Sequence, residues 1–129
     1  MTASILLVVS DALIRKVLGE VMESAGYNVF ATGDLGSAVD YLNIYTPDLL
    51  MIRHYTDGIS GYDAAMNIRR RVPGIAVLMV GGLPDDSRLI NRDTVQGFEI
   101  FPKPFPAAEL LEKVAELLLR RSNRSETSQ

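Results

Sequence analysis

Five short apolar runs recur along this chain at regular intervals, and they constrain its fold more than any other feature. Each has the length of a β-strand, and they span Ile5 to Val9, Val29 to Ala31, Leu49 to Ile52, Ala76 to Val80 and Phe98 to Phe101. The first, third and fourth runs lack the alternation that a strand with one exposed face requires. We therefore expect parallel strands with helices covering both faces of the sheet.

Between these runs, the spacing of apolar residues changes to that of a helix. The clearest stripes are Ile14, Val17, Leu18, Val21, Met22 and Ala25, and later Ala107, Leu110, Leu111, Val114, Leu117 and Leu118. Asp34 predicts a helix N-cap, and Gly26 predicts a helix end. The segment from Asp85 to Gln96 is less regular and is interpreted as a short helix. The alternation predicts an α/β fold with a doubly wound, five-stranded parallel sheet in three αβα layers.

Composition narrows the possible functions. The chain has 129 residues and a net charge of −3, with no cysteine and one histidine, His54. Disulfides, thiolate zinc sites and multi-histidine metal sites are excluded. We expect one domain at 1–119, whose acidic balance argues against nucleic-acid binding, and a polar tail or linker at 120–129. No apolar run reaches the roughly 20 residues that span a bilayer, and no signal peptide is evident, so we expect a cytoplasmic protein without a membrane partner.

Ligands and chemistry in doubly wound sheets lie at the carboxyl ends of the strands. Here those ends are Val9-Ser10-Asp11, Arg53-His54, Gly81-Gly82 and Pro102-Lys103-Pro104. His54 has no evident orienting group, so we do not expect it to act as a base. Asp48 enters the third strand and is expected at the opposite edge of the sheet.

The order of several fragments resembles the receiver domain of bacterial two-component response regulators, over nearly all of residues 4–119. The fragments are Ile5-Leu6-Leu7-Val8-Val9, Ala25-Gly26-Tyr27-Asn28-Val29, Pro47-Asp48-Leu49-Leu50, Asp57-Gly58-Ile59-Ser60-Gly61 and Pro102-Lys103-Pro104-Phe105. The resemblance implies the flavodoxin-like receiver fold. It also implies a magnesium-assisted phosphoacceptor site, built from an acidic pair, an aspartate, a hydroxyl residue, an aromatic switch residue and a lysine.

This chain departs from that pattern at nearly every site position. The acidic pair aligns with Val9 and Ser10, the phosphoacceptor with Arg53, the hydroxyl residue with Gly81 and the switch residue with Ile100; only Lys103 matches. A guanidinium stays protonated and is no nucleophile. A dication about 4 Å from it would meet a repulsion of roughly 8 kcal/mol at an effective dielectric of 20. We therefore expect no metal and no cofactor.

Two interpretations of Arg53 remain open. It can be a structural plug, in which case a carboxylate should pair with it, and Asp11 and Asp57 are the candidates. Alternatively, Arg53 and Lys103 can bind an anion or a small ligand with the Gly81-Gly82 amides. A further alternative is a phosphoaccepting receiver that uses Asp11 or Asp57.

The sequence favours a degenerate receiver, a pseudo-receiver, that is not an enzyme and acts through protein contacts. By the resemblance, its partner or a second copy should bind at the fourth helix, fifth strand and last helix, about Asp85 to Leu118.

Overall fold

A parallel β-sheet forms the middle layer of the computed structural model, which describes residues 2–53, 55–56, 59–80, 98–101 and 107–127. Its strands are β1 (Ser4–Val8), β2 (Asn28–Thr32), β3 (Leu49–Arg53), β6 (Ala76–Val80) and β7 (Phe98–Phe101). They lie in the order β2-β1-β3-β6-β7, and every neighbouring pair is parallel. The expected α/β class with a parallel sheet is confirmed.

Four helices connect or follow these strands in the described part of the chain: α1 (Ala12–Ser24), α2 (Leu35–Leu42), α3 (Gly61–Arg71) and α4 (Ala107–Thr127). Asp34 caps α2 as predicted, because its carboxylate accepts from the N–H of Ser37. After α1, Gly26 adopts a φ of 95°, a conformation that only glycine tolerates readily. The side-chain cap at Asp34 therefore determines where α2 begins, and the backbone conformation of Gly26 determines where α1 ends.

The core lies on both faces of the sheet. On one face, alternate strand residues such as Leu6, Leu50 and Val77 pack with α2 and α3. On the other, Leu7 and Met51 pack with α1 and α4. Central strand residues are fully buried, which explains why their apolar runs do not alternate.

Two elements differ from the sequence expectation. A short antiparallel hairpin, β4 (Tyr55–Thr56) with β5 (Ile59–Ser60), follows β3. The backbone of α4 is helical as far as Thr127, across most of the predicted polar tail. No proline or glycine interrupts residues 107–127, and Arg120 donates to Glu116 one turn earlier at 2.5 Å. The proposed helix at Asp85 to Gln96 lies outside the described residues.

No helix in the described ranges combines the length and apolar character that crossing a membrane requires.

Candidate functional site at the carboxyl edge of the sheet

The carboxyl ends of β1 and β3 lie side by side in the centre of the sheet. Val8 is in register with Ile52, so Val9 and Arg53 are the next positions on the two strands. On its other side, Arg53 is in register with Val80, the last residue of β6. Arg53 therefore stands at the central position of this edge, and its side chain is half-buried.

Val9 contributes an apolar side chain and a backbone anchor to this edge. It is fully buried and packs in the core layer that contains Met51 and Val80. Its N–H donates to the Thr32 carbonyl at 3.0 Å, which extends the pairing of β1 with β2 by one residue. The position thus serves packing and offers no acidic oxygen.

Ser10 and Asp11 are exposed at the start of the following loop. The carboxylate of Asp11 accepts from the N–H of Ile14 at 3.0 Å and forms the N-cap of α1. An N-cap oxygen satisfies a backbone donor that has no partner within the helix. Among the described residues, Asp11 forms no ion pair with Arg53, so its role here is to begin α1.

Arg15 belongs to this edge, although the sequence analysis did not identify it. Its Nη1 donates to the Val9 carbonyl at 2.8 Å and reaches the Ser10 carbonyl at 3.5 Å. A Cβ at Gly33 would collide with this guanidinium. Gly33, directly after β2 and before the α2 cap, was the only signal in the sequence that a side chain needs this space.

Three candidate site residues, Asp57, Gly81 and Lys103, lie outside the described residues, as does His54, which was not expected to act as a base. Ile100 lies on β7, in register with Met79 of β6. The pairing of Arg53 with Asp57, and the anion site that includes Lys103, therefore stay predictions.

Asp48 lies at the opposite, amino-terminal edge of the sheet, as its position in the sequence indicated. Its Oδ2 accepts from the N–H of Ser4 at 2.8 Å, and its own N–H donates to the Ser4 carbonyl at 2.8 Å. Its carbonyl accepts from Ala76 at 3.4 Å. The carboxylate thus joins the starts of β1 and β3, and the sheet separates it from Arg53.

Comparison with known proteins agrees with this architecture. The family model of the response regulator receiver domain matches residues 5–115. The phosphate regulon transcriptional regulatory protein PhoB of Escherichia coli (strain K12) is 30% identical over 129 residues, covering 95% of this chain and 54% of that protein. The DNA-binding transcriptional regulator NtrC of Bradyrhizobium sp. is 26% identical over 121 residues, covering 94% of this chain and 25% of that protein. The chain thus spans a quarter to about half of these relatives.

Solved structures show the same fold. NtrX from Brucella abortus superposes with a TM-score of 0.88 at 22% identity, covering 99% of this chain and 29% of that one. A CheY-like receiver domain protein from Methanospirillum hungatei JF-1 gives a TM-score of 0.84 at 20% identity, covering 96% of this chain and 99% of that one.

Proposed function

Since the chain belongs to the response regulator receiver domain family, we propose that it serves two-component signalling without phosphoryl transfer at the end of β3, and acts through protein contacts. The observation that supports this most is the residue at the end of the central strand. Arg53 stands there beside the buried Val9, and the resemblance to receiver domains aligns it with the nucleophilic carboxylate of that family. An arginine is cationic at any working pH and cannot form an acyl phosphate.

The described residues of this edge do not fit Mg²⁺, which the family uses. Magnesium prefers carboxylate and water oxygens in octahedral geometry. Val9 offers only a carbonyl that already accepts from Arg15, and the Asp11 carboxylate already caps α1. In the described part of the chain, no group of three or more His, Cys, Asp or Glu side chains is placed to hold a metal ion.

Intact-mass measurement tests the absence of phosphoryl transfer. The full chain is incubated with acetyl phosphate and Mg²⁺, beside a receiver domain that carries an aspartate at the corresponding strand end. We expect the control to gain one phosphoryl mass and this chain to gain none. A gain that disappears on Asp11→Asn or Asp57→Asn would contradict the proposal and support the phosphoaccepting alternative.

Restoring the acid provides the matched variant. Arg53→Asp combined with Ser10→Asp places two carboxylates at this edge without changing the buried Val9. If Arg53 is what prevents the chemistry, this variant should gain phosphoryl mass where the parent chain does not. Titration of both proteins with Mg²⁺ and beryllofluoride, followed by NMR, should shift edge resonances in the variant only.

Anion binding is a second candidate, and the state of Arg53 supports it. The guanidinium is half-buried and forms no ion pair with any described carboxylate. Calorimetric titration with inorganic phosphate and with ATP distinguishes the two interpretations. Loss of heat on Arg53→Glu, with Lys16→Glu as an exposed control, would favour an anion site. If neither ligand releases heat with the parent chain, the anion interpretation is wrong.

The contact surface of the first proposal is the region from Asp85 to Leu118, of which 98–101 and 107–118 are described. The exposed Glu112 of α4 lies within it. Charge reversal there should weaken association with a signalling partner in a pull-down, while charge reversal at the exposed Asp63 of α3 should not. Equal binding by both variants would exclude this part of the surface.

A further inference from the structure

The strand β2 lies at one edge of the sheet. In the part of the chain that the structure describes, β1 is its one partner strand, and Asn28, Phe30 and Ala31 are exposed. Proteins commonly protect such edges with charges, prolines or bulges. The sequence of β2, Asn-Val-Phe-Ala-Thr, contains no charge and no proline, and its register with β1 has no bulge. This edge is therefore open to another strand.

The hydrogen bonds of β2 show which groups face outward. The Asn28 N–H donates to the Ala3 carbonyl, and the Thr32 carbonyl accepts from Val9, each at 3.0 Å. In a parallel ladder, the N–H and C=O of one residue point to the same side and alternate along the strand. The N–H and C=O groups of Val29 and Ala31 therefore point away from β1, toward the free edge.

A groove flanks the edge on each face of the sheet. The first is aromatic: it is lined by Phe30, Tyr41 and Tyr45, and Phe30 stacks on Tyr41 with ring centroids 4.7 Å apart. The second lies between α1 and β2, and it is lined by Arg15, Lys16, Gly19, Glu20 and Glu23. An added strand would place alternate side chains in these two grooves.

The charges on α1 indicate which strand would pair with the free edge of β2. The cations Arg15 and Lys16 lie toward the carboxyl end of β2, and the anions Glu20 and Glu23 toward its amino end, because α1 runs opposite to the strands. A second copy related by a twofold axis perpendicular to the sheet would place its own α1 antiparallel to the first. Lys16 of each copy would then lie near Glu23 of the other.

We propose that a second copy of this chain binds here, with the two β2 strands antiparallel and the sheets continuous across a twofold axis at Phe30. Val29 and Ala31 of each copy would then exchange backbone hydrogen bonds. The two α1 helices would lie on the same face of the continuous sheet, one on each side of the twofold axis.

Disulfide trapping tests the register directly, because the chain contains no cysteine. At the axis, Phe30 would face its copy in a non-hydrogen-bonded pair with Cα atoms about 4.5 Å apart, which a disulfide can bridge. Phe30→Cys should therefore form a covalent dimer under mild oxidation. Leu13→Cys, at a site that is 70% exposed on α1, is the control and should crosslink at least tenfold more slowly. Equal rates would overturn the proposal.

Charge exchange tests the helix contact independently of the cysteine variants. Lys16→Glu and Glu23→Lys each bring like charges together and should weaken dimerisation at least tenfold in sedimentation equilibrium. The double variant should restore most of the association. Both side chains are exposed, so folding should not change, and thermal unfolding at low concentration checks this. A chain that stays monomeric at millimolar concentration would contradict the proposal.

Glu112→Lys separates this dimer from one formed through α4. If that variant weakens dimerisation while Lys16→Glu does not, the dimer uses the other surface and the β2 proposal is wrong. None of these residues belongs to the carboxyl edge around Arg53, so the outcome is independent of the phosphoryl-transfer experiment.

Discussion

Arg15 joins two loops at the carboxyl edge of the sheet. Its guanidinium donates to the Val9 carbonyl at 2.8 Å, and it fills space that a side chain on Gly33 would occupy. A hydrogen bond from a charged donor to a buried backbone acceptor contributes more than an average one. This hydrogen bond therefore links the start of α1 to the end of β1.

Arg15→Ala should lower the free energy of unfolding by about 1–2 kcal/mol, because the Val9 carbonyl loses its charged donor. Arg70→Ala, at an exposed position of α3, is the control and should change the stability by less than about 0.5 kcal/mol. Urea denaturation measures both.

Gly33→Ala should reduce stability through the same contact, since its methyl group displaces the guanidinium. In a double-mutant cycle with Arg15→Ala, the two losses should therefore not add. Additive losses would show that Gly33 and Arg15 act separately.

The residues of the site could be identified from sequence more easily than their contacts. The strand ends read from the sequence placed Val9 and Arg53 at this edge, and the strand register puts them there; their match to the family's site positions stays a prediction. The sequence did not reveal that Asp11 caps α1 or that Arg15 reaches back to β1. Those contacts depend on helix phase and loop path, which one-dimensional spacing does not encode.

At the scale of secondary-structure elements, the predictions were correct where an apolar pattern continued over several residues without interruption. The buried strands and the stripe of α4 are clear because both are anchored in the core, through Leu110, Val114 and Leu117 in the helix. The hairpin β4–β5 was missed because its strands have two residues each, too few to show alternation. The helical backbone at 120–127 was missed because those residues are polar, and helix continuation needs no apolar stripe.

The last turn of α3 shows the same limit. Arg69, Arg70 and Arg71 lie in this turn, where cations complement the helix dipole. In addition, Arg69 donates to the Ile75 carbonyl at 3.0 Å, and Arg71 donates to Asn43 after α2. These contacts join α3 to the start of β6 and to the end of α2, which charge pattern alone did not indicate.

The cap of α2 gives the protein a predictable acid dependence. The pKa of Asp34 lies below its ordinary value of 3.8, because the backbone N–H of Ser37 and then its hydroxyl donate to the carboxylate. A carboxyl with a lowered folded-state pKa stabilises the fold above its unfolded pKa, and this stabilisation is lost as pH falls through the folded pKa. The contribution of Asp34 should therefore be present at pH 7 and decline below pH 3.8.

Asp34→Asn isolates this effect, since asparagine caps a helix but does not titrate. The difference in unfolding free energy between the two proteins, measured by urea denaturation, should shrink as pH falls from 7 through the acid range. Ser37→Ala retains the backbone donor and should reduce the pH dependence without abolishing it. A difference that is constant with pH would show that the charge of Asp34 contributes nothing.

At the scale of the whole molecule, β3 connects two core layers. Leu50 packs with α2 and α3, and its neighbour Met51 packs with α1 and α4. Both side chains are fully buried. Because β1, β3 and β6 each contribute buried side chains to both layers, neither layer can lose its packing while these strands remain intact. The described fold should therefore unfold as one cooperative unit, as small single domains usually do.

Leu50→Ala and Met51→Ala form a matched pair of variants, one in each layer, that tests whether the two layers unfold together. Each should lower the free energy of unfolding by about 2–5 kcal/mol, the cost of a large-to-small change in a close-packed core. Tyr27 packs in the layer of Met51, so both variants are made in a Tyr27→Phe background, where tyrosine fluorescence reports mainly on the layer of Leu50 through Tyr41 and Tyr62. Far-UV circular dichroism reports on all helices. If the layers are coupled through the sheet, both probes should give the same urea midpoint in each variant.

A contradicting result would be a Met51→Ala transition that circular dichroism detects at a lower urea concentration than fluorescence does. It would mean that the layer of α1 and α4 unfolds first. The sheet would then act as a scaffold for two separable layers, and not as the centre of one core.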